Sequence, residues 1–596
     1  MLAGSNNTDL SRKHPNLDSK VIPFYQIWQE LVNPQTLDIY QYRVLTSYSA
    51  LVELASVIEK TQSGLFTTDA NIEACRSETL YILNQDNVLA LHHKPLLNRL
   101  RSCLGKKPST TAEKNRLLAH IRYAVHILAP IYLRTVLCEL KLSIQAGDIE
   151  RIECYANTAA SQAINNGWSP RALLELLRFF TQEGDFESQW ELFQNRLVDS
   201  SDYPHDVLIN IPFAQLNGEA QAQALDALNR LGLNPKSHAE IVAEYPEIRD
   251  IAALIKAEKR YFRVSVSAKD VYSASHIAVS KLATVLNMAS FYNLVNAWDL
   301  KSVVIVAINR TSSYHRSFTA ESLYATYDYL DSSGRIFEST RRIFTDDSKG
   351  AIRDKLQGAF SYTNISRASL FQEEKYMNLW VALESLARTD MYSDIISNVR
   401  ESVPAAVCIR YIYRIVRNFI EDCKRCRVSL DFGSIVIDTE QSTKQRMVTE
   451  AISVFRDNTL FPILQNKCSV NSLLEHRCLQ VHKLLTDIKY THKKVENHYN
   501  RVSWQIQRLY RIRNEIAHSA LQEKTSLIVY IEHLNDYLSS YIAEIVTCIT
   551  EKGFNSLEEA LCLIKNNCDV FFDFCKNHDT VAFEETVFTT GIISLI

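Results

Sequence analysis

The chain has 596 residues, with 65 Lys or Arg against 68 Asp or Glu, so its formal net charge of −3 excludes a globally basic nucleic-acid coat while leaving room for a local basic patch. Apolar residues make up 46% and charged residues 22%, which excludes wholesale disorder. Gly (14) and Pro (13) are scarce, so a many-stranded sandwich or barrel lacks its turns and a mainly helical chain of three or four domains is expected.

Residues 1–20 are polar, lack the apolar stretch of a secretion signal and read as a disordered arm. From Val21 to Ser200 apolar residues recur at three- and four-residue spacing, as in RALLELLRFF (171–180), predicting a helical domain over 1–203 that Tyr203-Pro204 ends. No internal repeat is visible. The best apolar run, Ile121 to Leu133, is broken by Arg122, His126 and Pro130, so no membrane span is expected. Thirteen scattered cysteines with no signal peptide read as reduced thiols in a cytoplasmic protein.

Short β-rich runs follow at 206–212, 261–266 and 302–309, with a helical stretch from Ala268 to Leu294 between the last two. They predict a small mixed α/β domain over 204–360. It carries no Gly-rich phosphate loop. From 361 to 550 the chain reads as helices at 369–388, 404–424, about 472–517 and 525–549, with a β-hairpin at 427–440. Residues 551–596 form an acidic extension of three Lys and eight Asp or Glu, with a weak helix at its start.

The long helix carries RLYRIRNEIAHSA, Arg508 to Ala520. Leu509, Ile512 and Ile516 make one apolar stripe, while Asn514 and His518, four apart, are neighbours on another face. Arg513 is about 100° round the helix from Asn514, within reach of the same space. Metal-free cleavage of RNA by its own 2′-OH needs an acid, a base and fixed positive charge. Histidine serves the first two roles and arginine the third. One histidine cannot easily be acid and base together, so two chains about a two-fold axis are a chemical expectation.

The string Arg513-Asn514-x-x-x-His518 resembles the R-x4-6-H signature of HEPN-domain ribonucleases. EEKYMNLWVALESLART (373–389) and HLNDYLSSYI (533–542) resemble the first and last core helices of the Apea-like branch. The resemblance covers roughly 361–550. It implies a dimerising helical bundle and a metal-independent endoribonuclease of a prokaryotic defence or toxin type. Arg513 would bind phosphate, His518 would be general acid or base, Asn514 would orient them, and Glu384 would be the acidic residue of the first helix. Glu384 also lies on an apolar line with Met377, Trp380 and Ala387, where a carboxylate is expected to pair with a cation of the long helix.

Between Ser472 and Arg513 nine Lys or Arg stand against three Asp or Glu. A nucleic-acid track through Lys493, Lys494, Arg508 and Arg511 is one reading and a solvated helix face the other. The acidic extension would shield this helix at rest, and residues 1–360 would sense a trigger or restrain the nuclease. Cys423-x-x-Cys426 has no second ligand pair, so neither metal nor cofactor is expected. Two other readings stand beside the ribonuclease: a catalytically inactive HEPN scaffold for dimerisation or RNA binding, and a nucleotide-responsive sensor centred on 204–360.

Overall fold

The computed structural model describes residues 7–33, 42–66, 69–210, 235–248, 250–256, 259–291, 303–319, 335–369, 371–392, 394–437, 444–519 and 527–577, with the single positions 226, 229 and 230. The parts of expected elements at 211–212, 292–294, 302, 438–440 and 525–526 lie outside these residues.

The chain is mainly helical. The N-terminal region comprises α1 (Asn7–Lys13), α2 (Ile22–Val32), α3 (Ser47–Gln62), α4 (Ala70–Asn84), α5 (Asn87–His92), α6 (Lys94–Leu104), α7 (Thr111–Leu128), α8 (Tyr132–Ala146), α9 (Ile149–Asn165), α10 (Pro170–Glu175) and α11 (Phe186–Val198). Local chemistry sets their ends. Thr46 with Ser49, and Thr110 with Glu113, form reciprocal capping boxes at the starts of α3 and α7. Ser169 caps α10 ahead of Pro170, whose missing N–H costs nothing there. Gly147 ends α8 at φ +68°, a left-handed turn that glycine enters without a Cβ clash.

The middle region holds β1 (Tyr203–Asn210), α12 (His238–Glu244), α13 (Ile251–Leu254), β2 (Tyr261–Ala268), α14 (Val271–Phe291), β3 (Val304–Asn309) and β4 (His315–Thr319). The strands form one antiparallel sheet in the order β2-β1-β3-β4, with Val207 opposite both Val264 and Ala307. Strand alternation divides β1 between two cores: Val207 and Ile209 join the N-terminal helices and α14, while Leu208 joins Ile241, Tyr245 and Ile251 on the other face. The strand β4, too polar to announce itself, was not anticipated.

The C-terminal region comprises α15 (Arg335–Thr345), α16 (Gly350–Ala368), α17 (Gln372–Ala387), α18 (Ile395–Ile409), α19 (Tyr411–Arg425), α20 (Lys444–Arg456), α21 (Leu460–Cys468), α22 (Ser472–Thr486), α23 (Ile488–Ser519), α24 (Ile528–Lys552) and α25 (Leu557–Asn577). Its core runs from Ile343 to Cys575. Ile343, Ile352 and Leu356 therefore pack with the bundle, which begins before residue 361, and the extension after 550 contributes α25 to the same core.

Four expectations are corrected. The N-terminal arm is not disordered over its described part: α1 buries Leu10, and Asn7 donates to the Val470 carbonyl at 3.0 Å. The single helix expected over 404–424 is two: α18, capped by Asp394 at its start and with Pro404 inside it, ends at Ile409, and α19 begins at Tyr411. The single helix expected over 472–517 is two, because the Asp487 carboxylate accepts from the Tyr490 N–H at 3.0 Å and starts α23 afresh. The expected hairpin is reduced to one bridge, Asp431 to Val436. Among the described residues no helix is long and apolar enough to cross a membrane.

Candidate active site

The motif lies at the C-terminal end of α23, a helix gripped on two sides. On its bundle side Val495, Val502, Ile506 and Leu509 are buried in the C-terminal core, with Ile512 and Ile516 half-buried against it. The apolar stripe read from the sequence is therefore where it was expected. Helix α17 locks onto this side: Tyr376 O–H donates to the Leu509 carbonyl, and the Trp380 ring lies 5.8 Å from that of Tyr510.

The other side of α23 faces the N-terminal helices. Arg508 and Arg511 are each 4% exposed, and both reach the Glu53 carboxylate of α3. Arg508 also pairs with Glu78 of α4. One turn further, Glu515 meets Lys60 at 2.8 Å, and Gln507 donates to Asn71 at 2.9 Å. Burial pushes the Glu53 carboxyl up, but the two guanidinium groups outweigh it and hold it below the ordinary range. Glu78 is raised, because burial and the neighbouring Glu53 charge outweigh the pull of Arg508 and Arg511. The solvated basic track expected from Arg508 and Arg511 is thus an internal ion network. A helix rich in arginine looks like a polyanion surface in sequence, yet its counter-charges lie more than 400 positions earlier.

The same pattern extends to α22, where Arg477 is bidentate on Glu30 of α2 with one bond of 2.7 Å. Glu153 of α9 accepts from His476 at 3.3 Å and Gln480 at 3.2 Å. Shielding of the basic helices thus comes from N-terminal carboxylates. The described part of the acidic extension meets α23 through aromatic packing instead, with Phe572 against Tyr499 at 5.7 Å. Residues 578–596 lie outside the described residues.

Arg513 stands apart from this network. It is half-buried, its Nη1 donates to the Asn514 side-chain oxygen at 3.1 Å, and its Nε is buried without a hydrogen-bond partner. Among the described residues it forms no ion pair. The structure therefore joins Arg513 and Asn514 through a side-chain hydrogen bond. His518 belongs to the same helix, about 7.5 Å further along its axis by helical rise. Its side chain lies outside the described residues.

Glu384 is half-buried and accepts from Trp380 Nε1 of its own helix at 2.7 Å. Among the described residues it forms no ion pair, so the expected pairing with a cation of the long helix is replaced by an indole N–H. Through Trp380 and Tyr510 it still sits beside α23. Lys493 is exposed and without an ion pair among the described residues. Lys494 lies over the Tyr490 ring at 5.3 Å.

Among the described residues no group of His, Cys, Asp or Glu is arranged to hold a metal ion. Cys423, Cys468 and Cys478 are all fully buried where α19, α21 and α22 meet. No family model, no curated protein and no solved structure matches this chain.

Sequence reasoning missed Glu53, Glu78 and Glu30 as partners of the basic helices. The only signal was a carboxylate beside apolar positions of an amphipathic helix, such as Glu53 between Leu51 and Leu54.

Proposed function

We infer that the chain is a HEPN-type endoribonuclease that cleaves RNA without metal through Arg513, Asn514 and His518. One observation carries the reading. Arg508 and Arg511 are neutralised by carboxylates, whereas Arg513, two positions on, has no ion pair among the described residues and is steered by Asn514. A half-buried guanidinium with no carboxylate partner among the described residues suits an oxygen that gains negative charge in the transition state. His518 would exchange protons with the 2′-OH and the leaving 5′ oxygen. Two such motifs, paired across a homodimer, would supply acid and base together. A role in prokaryotic defence, with a trigger acting on residues 1–360, fits the grip those residues hold on α22 and α23. Purified protein is incubated with total RNA in EDTA. Cleavage by the wild type that is lost in His518→Ala supports the reading, and equal behaviour of the two removes it.

A second reading is favoured by the same ion network: a HEPN bundle that serves as a catalytically inactive dimerisation module, its basic face consumed by the N-terminal helices. It predicts a dimer with no His518-dependent cleavage.

A further inference from the structure

The solvated basic face that Arg508 and Arg511 do not provide is present on the N-terminal helices. From Asn87 to Cys138 nine Lys or Arg stand against one acid, Glu113, in a chain whose acids outnumber its bases. The segment spans α5, α6, α7 and the start of α8, and α6 packs against both α5 and α7. The apolar faces are turned inward: Leu97, Leu100 and Leu104 of α6 and Leu117, Ile121 and Leu128 of α7 are buried. The charges are therefore left on the solvent side.

Few of them are answered. Lys114 meets Asp69 at 2.6 Å and Arg122 meets Glu59 at 2.8 Å. Arg101 turns to the Leu83 carbonyl at 3.3 Å. The other six, Lys94, Arg99, Lys106, Lys107, Arg116 and Arg134, are exposed and form no ion pair among the described residues. Carboxylates nearby are already engaged. Glu113 accepts from the Ser109 N–H at 2.7 Å and the Thr110 N–H at 3.1 Å, Glu73 of α4 accepts from Arg76 at 3.1 Å, and Glu139 of α8 meets His92 at 2.8 Å.

The surface also carries an open ring. Arg116, Ala119 and Tyr123 follow at three- and four-residue spacing, so they share one face of α7, and Tyr123 is 60% exposed. A guanidinium and an accessible ring two turns apart suit a phosphate and an unstacked base of one strand. An anionic membrane calls for an apolar face beside the charge, whereas the apolar faces here lie in the core.

We propose that the solvent face of α6 and α7, with the Lys106-Lys107 turn between them, binds single-stranded RNA through its phosphates and stacks a base on Tyr123. The choice of RNA rests on the ribonuclease reading, and this surface holds the strand outside the motif.

The test is fluorescence anisotropy of the full-length protein with a short labelled 2′-O-methyl RNA, a strand without the attacking hydroxyl, so that binding is read apart from cleavage. The expected result is saturable binding that weakens with salt, by a log–log slope of about −0.7 per phosphate engaged. The pairs Lys106→Gln with Lys107→Gln, and Arg99→Gln with Arg116→Gln, are each expected to weaken it ~10-fold or more and to flatten the slope. Tyr123→Ala should weaken it ~5-fold or more with the slope unchanged. Lys493→Gln, an exposed position on α23, is expected to bind as the wild type does. All these positions are exposed, so the thermal midpoint should stay within that expected of surface changes. Intact binding without cleavage falls on the ribonuclease reading and leaves this surface standing. No binding, binding indifferent to both pairs, or binding lost in Lys493→Gln would overturn the proposal. So would tighter binding of the matching DNA strand, of duplex RNA or of phosphatidylserine vesicles through the same residues.

Discussion

Arg508 and Glu53, 455 residues apart in sequence, meet through two hydrogen bonds of 3.0 Å from one guanidinium nitrogen to both carboxylate oxygens. Glu53 simultaneously answers Arg511, so a single carboxylate of α3 compensates two buried cations of α23. Removing it strands Arg511 and leaves Arg508 with Glu78 alone. Glu53→Ala is expected to cost about 3–5 kcal/mol in urea unfolding. A double-mutant cycle with Arg511→Ala should show coupling above about 1 kcal/mol. Additive effects would mean that the network holds little.

The same network bears on regulation. If the N-terminal helices restrain the nuclease, loosening them without unfolding the bundle should release it. Glu78→Gln keeps the shape of the side chain and removes its charge from Arg508. Initial rates of RNA cleavage are expected to rise severalfold while the circular dichroism spectrum is preserved. A fall in rate, or none of the expected rise in a folded variant, counts against restraint by this contact.

Glu153 gives a pH signature. Burial raises its carboxyl, but the hydrogen bond from His476, the charge of Arg477 and the bond from Gln480 together bring it down to about 2. A carboxyl lowered on folding stabilises the protein above its ordinary titration range, near 4.5, and that contribution disappears as the pH falls toward 2. Wild type is therefore expected to exceed Glu153→Gln by about 1–2 kcal/mol at pH 6. The gap should close between pH 4.5 and 2. A gap at pH 2 as large as that at pH 6 in urea titrations would contradict this assignment.

What was legible in the sequence follows the range of the interactions. Helices with a strong apolar period, such as the stripe of Leu509, Ile512 and Ile516, could be read because the signal is complete within a few turns. The breaks could not, since Asp487 splits a continuous apolar pattern by a side-chain bond to Tyr490 that looks like any other polar residue. The fate of the arginines was least accessible. Helical phase separates Arg513 from Arg508 and Arg511, which share a face, but only the tertiary approach of α3 and α4 reveals that this shared face is neutralised.

Glu384 separates a structural role from a chemical one. Its bond from Trp380 needs only an acceptor oxygen, which glutamine provides. Glu384→Gln is expected to change stability by no more than about 0.5 kcal/mol. If the carboxylate takes part in the cleft, the same variant should lower the rate of RNA cleavage at least ~10-fold, the lower end of single-group effects in general acid–base catalysis. Unchanged rates would leave Glu384 as a partner of Trp380 alone.

The most direct measurement is RNA cleavage in EDTA by purified wild type, Arg513→Ala and His518→Ala, each checked for folding by its thermal midpoint. The account predicts metal-independent cleavage by the wild type and a loss of ~10²-fold or more in each folded variant. Cleavage equal in all three, or absent from both the wild type and the Glu78→Gln variant, would contradict it.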